Sequence, residues 1–185
     1  MRIVGGRLRG RPLAGPSSDA IRPTSDRLRE TLFNVLAHAY DDAVREARVI
    51  DLFAGTGALG IEAVSRGATF ALLVDDSATA RGLIRENVER LGLGGSTRIF
   101  RRDATRLGPA AQNGSFSLLF CDPPYGRDLA GPALTSAAEG GWLESGALAV
   151  VEERAGAFQL PGGFTELERR LAGESELTFA RFLPT

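Results

Sequence analysis

From Val49 onward, short apolar runs alternate with stretches of helical spacing, and this alternation leaves the chain very few folds to adopt. Val49 to Phe53, Phe70 to Val74, Arg98 to Arg101, Ser117 to Cys121 and Ala147 to Val151 read as strands. Leu59 to Arg66, Ala78 to Leu91 and Leu129 to Ala138 read as the helices between them. Strands that are almost wholly apolar, separated by helices, predict an α/β fold. Its mostly parallel sheet is doubly wound and covered on both faces. Glu166 to Leu171 and Leu177 to Phe182 add an antiparallel hairpin around Gly173, bringing the sheet to seven strands. Ligands of such sheets sit beyond the carboxyl ends of the strands, so the residues at those ends carry the functional reading.

Ahead of this region a helix is predicted from Thr24 to Tyr40. Thr24 or Ser25 caps it, and Leu28, Leu32, Val35, Leu36 and Ala39 form its apolar stripe. The first thirteen residues alternate charged and apolar side chains about Gly5-Gly6 and predict a β-hairpin extension. An isolated hairpin is marginal in water, so it docks on the body, folds on a partner, or does both. Residues 14–23 are rich in Pro, Ser, Gly and Asp and read as a linker. The chain therefore divides into a basic segment over 1–23 and a main domain over 24–185.

Charge is unevenly spread. Net charge is −1, yet residues 1–30 hold seven arginines against three acids, while residues 31–185 carry a net of −5. Every one of the 22 basic residues is arginine, a planar five-donor fork suited to phosphates and base edges. Arg2, Arg7, Arg9 and Arg11, with Arg22, Arg27 and Arg29 around the first helix, form the candidate nucleic-acid surface. No run of eighteen apolar residues occurs, so no membrane span is expected. The single cysteine, Cys121, precludes an intramolecular disulfide and agrees with a cytoplasmic protein. No His/Cys cluster is present, and no metal is expected. A monomer is expected.

Asp51-Leu52-Phe53-Ala54-Gly55-Thr56-Gly57-Ala58-Leu59-Gly60 runs from strand into helix. Gly55, Gly57 and Gly60 have the spacing of a dinucleotide-binding loop, and Asp75 stands twenty residues after Gly55, where a ribose-binding acid belongs. Glycines alone admit either NAD or S-adenosylmethionine. Asp51 separates them. A carboxylate facing the loop repels a pyrophosphate by roughly several kcal/mol in a poorly solvated cleft, whereas it attracts an ammonium. A plain helix cap and a pairing with an arginine are the other roles open to Asp51. Asp75 or Asp76 takes the ribose hydroxyls, and their order is open. Asp103-Ala104, after the third strand, offers either an acceptor for an adenine amino group or a second cap.

Asp122-Pro123-Pro124-Tyr125 ends the fourth strand. Proline donates no hydrogen bond, so neighbouring carbonyls stay free to accept one. Asp122 adds a carboxylate acceptor, and Tyr125 a ring on which a flat heterocycle can stack. Together these groups suit the immobilisation of an exocyclic amine.

These motifs, with Met1-Arg2-Ile3-Val4-Gly5-Gly6 and Arg22-Pro23-Thr24-Ser25-Asp26-Arg27-Leu28-Arg29-Glu30-Thr31-Leu32-Phe33-Asn34, resemble the RsmD-type family of bacterial 16S ribosomal RNA guanine-N2 methyltransferases. The resemblance runs from the first residue past position 125. The Asp75-Asp76-Ser77 sequence departs from the usual acid-x-acid pattern. The resemblance implies a class I, Rossmann-like methyltransferase with S-adenosyl-L-methionine as cofactor and 16S rRNA or the small ribosomal subunit as partner. Another amino-methyltransferase, acting on DNA adenine-N6 or protein glutamine, shares the clamp. The basic segment favours nucleic acid over protein, and the lack of a separate target-recognition domain argues against DNA. An NAD-dependent oxidoreductase would need a proton donor, a role left to a tyrosine such as Tyr125.

Overall fold

A computed structural model of the protein describes residues 1–17 and 24–184. Seven strands form one sheet: β1 (Arg48–Leu52), β2 (Phe70–Val74), β3 (Thr97–Phe100), β4 (Phe116–Cys121), β5 (Leu143–Arg154), β6 (Phe164–Ala172) and β7 (Ser175–Phe182). Their spatial order is β3-β2-β1-β4-β5-β7-β6. The first five strands are parallel; β7 lies antiparallel to both β5 and β6. Among the described residues four α-helices accompany them: α1 (Asp26–Ala39), α2 (Ala58–Ser65), α3 (Ala78–Leu91) and α4 (Ala130–Glu139). None of the described helices is long and apolar enough to cross a membrane. The expected doubly wound sheet is present, closed by the C-terminal hairpin.

Within β1, successive residues feed opposite faces. Val49 joins Leu32, Phe33, Leu36, Leu118 and Phe120 in the core beneath α1, α2 and α3. Ile50 and Leu52 join Leu119, Cys121, Leu134 and Trp142 beneath α4. Phe33 meets Phe120 edge-on at 5.5 Å between centroids, fixing α1 against the end of β4. Cys121 is fully buried, and burial, with nearby carboxylates, raises its thiol pKa. No α-helix connects β3 to β4; short 3-10 turns at Ala104–Arg106 and Ala111–Asn113 do so instead.

The order of strands decides where the site lies. The chain winds outward from β1 to β2 and β3, then returns to start β4 on the other side of β1. Leu52 pairs with Cys121, so the segments leaving β1 and β4 emerge side by side at this switch point.

The N-terminal segment differs from the expected hairpin. Arg2 and Pro12 form one antiparallel bridge, with Ile3 N–H donating to Arg11 O at 3.0 Å and Leu13 N–H to Met1 O at 2.9 Å. Gly5-Gly6 is not a two-residue turn between paired strands; it is the contact with α2. A side chain at Gly6 would collide with the Ser65 carbonyl, and φ there is +79°. A helix end leaves carbonyls without donors, and this segment supplies them: Arg7 N–H donates to Ser65 O at 2.9 Å. Leu8 N–H donates to Ser65 Oγ at 3.0 Å. Ile3 and Leu13 are buried in the same core as α1.

Glu62, fully buried on α2, binds this assembly together. Its carboxylate accepts from Val4 N at 2.9 Å, Gly5 N at 2.8 Å, Arg29 Nη1 at 2.9 Å and Arg66 Nε at 2.8 Å. Arg29 also pairs with Asp26. Arg29 is 0% exposed, which removes it from the candidate RNA surface. A carboxylate inside the fold had to be neutralised, and Arg29 answers that demand instead.

Candidate active site

A cleft of about 390 Å³ opens at the carboxyl ends of β1, β2 and β4. Asp51, Phe53, Ala54, Gly55 and Thr56 line it from the first loop, Asp75 and Asp76 from the second, and Asp122, Pro123, Pro124 and Tyr125 from the fourth. Two motifs seventy residues apart in the chain thus share one cavity.

The glycine loop is shaped by its own backbone and held by carboxylates. β1 stops at Leu52 because Phe53 takes φ +59°, a left-handed conformation that costs a non-glycine residue about 1–3 kcal/mol. Gly57 caps α2 at φ +82°. Gly60 lies behind the cleft: a Cβ there would collide with Leu73 Cδ2 and stand 3.3 Å from Asp51 Oδ2. Its N–H donates to Asp51 Oδ2 at 3.0 Å. Asp51 therefore holds the first turn of α2 while it faces the cleft.

Asp51 is only 1% exposed. Burial pushes its pKa up to about 7; the Gly60 N–H works against this, and the nearby Asp75 carboxylate adds to it. Asp75 accepts from Gly55 N at 2.9 Å through Oδ2 and from Ser77 N at 2.9 Å through Oδ1. Its pKa is raised too, chiefly by burial. Asp76 is exposed at the rim, its carbonyl accepting from Arg81 Nη1 at 2.8 Å. Asn87, buried on α3, donates to Thr56 O at 2.9 Å and Ala14 O at 3.1 Å, tying the glycine loop to the N-terminal segment.

In the fourth-strand loop, Thr24 Oγ1 donates to Asp122 Oδ2 at 2.6 Å. The Tyr125 hydroxyl donates to Glu152 Oε1 at 2.8 Å and bonds the Ser175 hydroxyl. Arg154 lies 5.6 Å from the Tyr125 ring centroid. The ring is thereby tethered to β5 and β7.

Asp103 and Ala104 are not among the cleft-lining residues. Asp103 instead caps the 3-10 turn, accepting from Thr105 N at 2.8 Å and Thr105 Oγ1 at 2.7 Å. Arg2, Arg7, Arg9, Arg11 and Arg27 are exposed, whereas Arg22 lies outside the described residues. Sequence reasoning missed Thr24 and Arg127, both of which line the cleft. Ser25 is the true cap of α1, accepting from Leu28 N at 3.1 Å, so the neighbouring threonine was available for another task. Glu152 also went unremarked, although an acid ending the apolar run 147–151 is a signal of a buried polar partner.

Carboxylates occupy two of the loop's backbone donors and crowd the cavity. Pyrophosphate binding needs free N–H groups at the glycine turn. Here Gly55 N–H serves Asp75 and Gly60 N–H serves Asp51, and four carboxylates face the cavity. That acid-rich lining suits a cationic ligand with a diol and opposes a dinucleotide.

Sheet order, switch point and acid-lined cleft define the class I S-adenosylmethionine-dependent methyltransferase fold. The family model described as Conserved hypothetical protein 95 matches residues 1–181, and the chain belongs to that family. The RsmD-type resemblance read from its motifs holds along nearly its whole length: Ribosomal RNA small subunit methyltransferase D of Escherichia coli is 38% identical over 178 residues, covering 94% of this chain and 86% of that protein. Among solved structures, the Escherichia coli protein yhhF superposes with a TM-score of 0.84 at 31% identity, covering 100% of this chain and 99% of its own. The hypothetical protein TTHA0928 of Thermus thermophilus gives 0.76 at 36% identity, with 100% and 99% covered.

Proposed function

We propose that the protein methylates the exocyclic N2 of a guanine in small-subunit ribosomal RNA. The observation that carries this reading is the shared cleft, in which the acid-held glycine loop and Asp122–Tyr125 face one volume. The kinship with Ribosomal RNA small subunit methyltransferase D supports the RNA substrate.

S-adenosylmethionine supplies an electrophilic methyl group. Asp51 is the partner for its ammonium, and Asp75 with Asp76 for its ribose hydroxyls. The guanine amine is a poor nucleophile because its lone pair is delocalised into the ring. Asp122 and the Pro123 carbonyl accept its two N–H bonds, which frees the lone pair from conjugation, and Asp122 takes up the proton released afterwards. The Tyr125 ring stacks on the base, which must leave its neighbours to enter. Exposed Arg2, Arg7, Arg9, Arg11 and Arg27 hold the RNA backbone, and Arg127 adds a cation at the mouth of an acidic cleft.

Incubation with tritiated S-adenosylmethionine and, separately, small subunits, naked rRNA, DNA or protein tests the proposal. Label should enter small-subunit RNA, and nucleoside mass spectrometry should find N2-methylguanosine. Label confined to DNA or protein, or on another atom of the base, refutes it.

A further inference from the structure

We infer that the Thr24 hydroxyl is a positioning group for the Asp122 carboxylate, helping set its plane for the target amine; this rests on the assignment of Asp122 as amine acceptor. The two residues are 98 positions apart and come from different layers of the fold, yet their oxygens lie 2.6 Å apart. Thr24 is 7% exposed and lines the cleft beside Asp122. A carboxylate at the end of a strand rotates over a broad χ2 well, because an sp³–sp² torsion has no sharp minimum. A donor placed on Oδ2 narrows that freedom. A hydroxyl bonded to the ionised form also favours the anion, keeping the group an acceptor.

Contacts of the helix that follows it define the placement of Thr24. Ser25 caps α1 immediately after it, Phe33 on α1 packs on Phe120 two residues before Asp122, and Arg29 anchors the same helix through Glu62. Helix capping does not explain the threonine, since the Ser25 hydroxyl performs it. Thr24 donates away from its own helix, into the loop that carries the clamp.

The test compares Thr24→Val, Thr24→Ser and Asp122→Asn with the unmodified chain on small subunits assembled from unmodified rRNA. Readouts are kcat, KM for the particle, the pH profile of kcat, and S-adenosylmethionine affinity by calorimetry. Thr24→Val should lower kcat by about 10- to 100-fold, the scale of a misplaced reacting group. Cofactor affinity should be unchanged, and the acid limb of the kcat profile should move to higher pH, because the carboxylate has lost a bond to its charged form. Thr24→Ser keeps the hydroxyl and should restore most of the rate and the original limb. If Thr24→Val melts too low to assay, Thr24→Ala carries the same expectation.

Full turnover by Thr24→Val beside an inactive Asp122→Asn overturns this inference alone. Equal losses in the Val and Ser variants, with the acid limb unmoved, make Thr24 merely structural and also overturn it. Normal turnover by Asp122→Asn removes the assignment beneath it.

Discussion

Asp51→Asn should stabilise the ligand-free protein at alkaline pH while destroying its grip on the cofactor. Asp51 is nearly inaccessible, and burial lifts its pKa from 3.8 to about 7. Between those values the folded state binds a proton that the unfolded chain has lost, so stability declines as pH rises and levels off above 7. The full difference is about 4 kcal/mol, taking 1.36 kcal/mol per unit. Asparagine retains an oxygen for the Gly60 N–H but brings an NH2 group with no assigned acceptor, at a cost of about 1–2 kcal/mol. The remaining gain of about 2–3 kcal/mol corresponds to a rise in Tm of roughly 5–10 °C at pH 8 for a domain of this size. At pH 5 wild-type Asp51 is protonated and the advantage should vanish. Calorimetric melts of both proteins from pH 5 to 8, without ligand, measure this directly. A variant less stable than wild type at pH 8, or a Tm difference independent of pH, would refute the argument.

Cofactor affinity should follow the same titration with the opposite benefit. An ammonium binds the ionised carboxylate, so S-adenosylmethionine should bind roughly tenfold more weakly at pH 6 than at pH 7.5 by calorimetry, and a flat profile would deny Asp51 this role. Glu62→Ala should cost about 3–5 kcal/mol, because it removes the buried one of Arg29's two carboxylate partners and frees the N–H groups of Val4 and Gly5. Its signature is a large fall in Tm together with rapid tryptic cleavage after Arg7 and Arg9; a resistant N-terminal segment would contradict the docking. Arg9→Gln should weaken RNA binding across sequences and reduce the salt slope of log K by about 1, leaving S-adenosylmethionine affinity untouched. An unchanged slope would take Arg9 off the RNA surface.

Some of this molecule could be read before it was seen, and the reasons are local. β2 and α3 run over the residues that their patterns predict, because Ser77 and Gly92 mark the ends of α3 in the sequence itself. The glycine loop was legible for the same reason, since Gly57 occupies a left-handed position that glycine tolerates. Residues whose role depends on distant partners were not. Arg29 looked like a surface cation until Glu62, 33 positions away, claimed it. Thr24 looked like a cap, because a hydroxyl near a helix start carries that local signature whether or not it caps; at Asp103 the same ambiguity left an adenine contact and a cap both open, and it caps the turn at Thr105. Gly5-Gly6 announced a turn; what it serves is the close approach of one backbone to the end of α2.

The buried thiol of Cys121 gives this protein a built-in clock. It sits directly before Asp122, in the last pair of the β1–β4 ladder, and neither solvent nor a low pKa makes it reactive. An alkylating reagent can reach it only when the end of β4 comes away from its neighbours. The chain has no other cysteine, so one rate constant, followed as RNA or cofactor is added, reports how readily the floor of the Asp122–Tyr125 loop gives way.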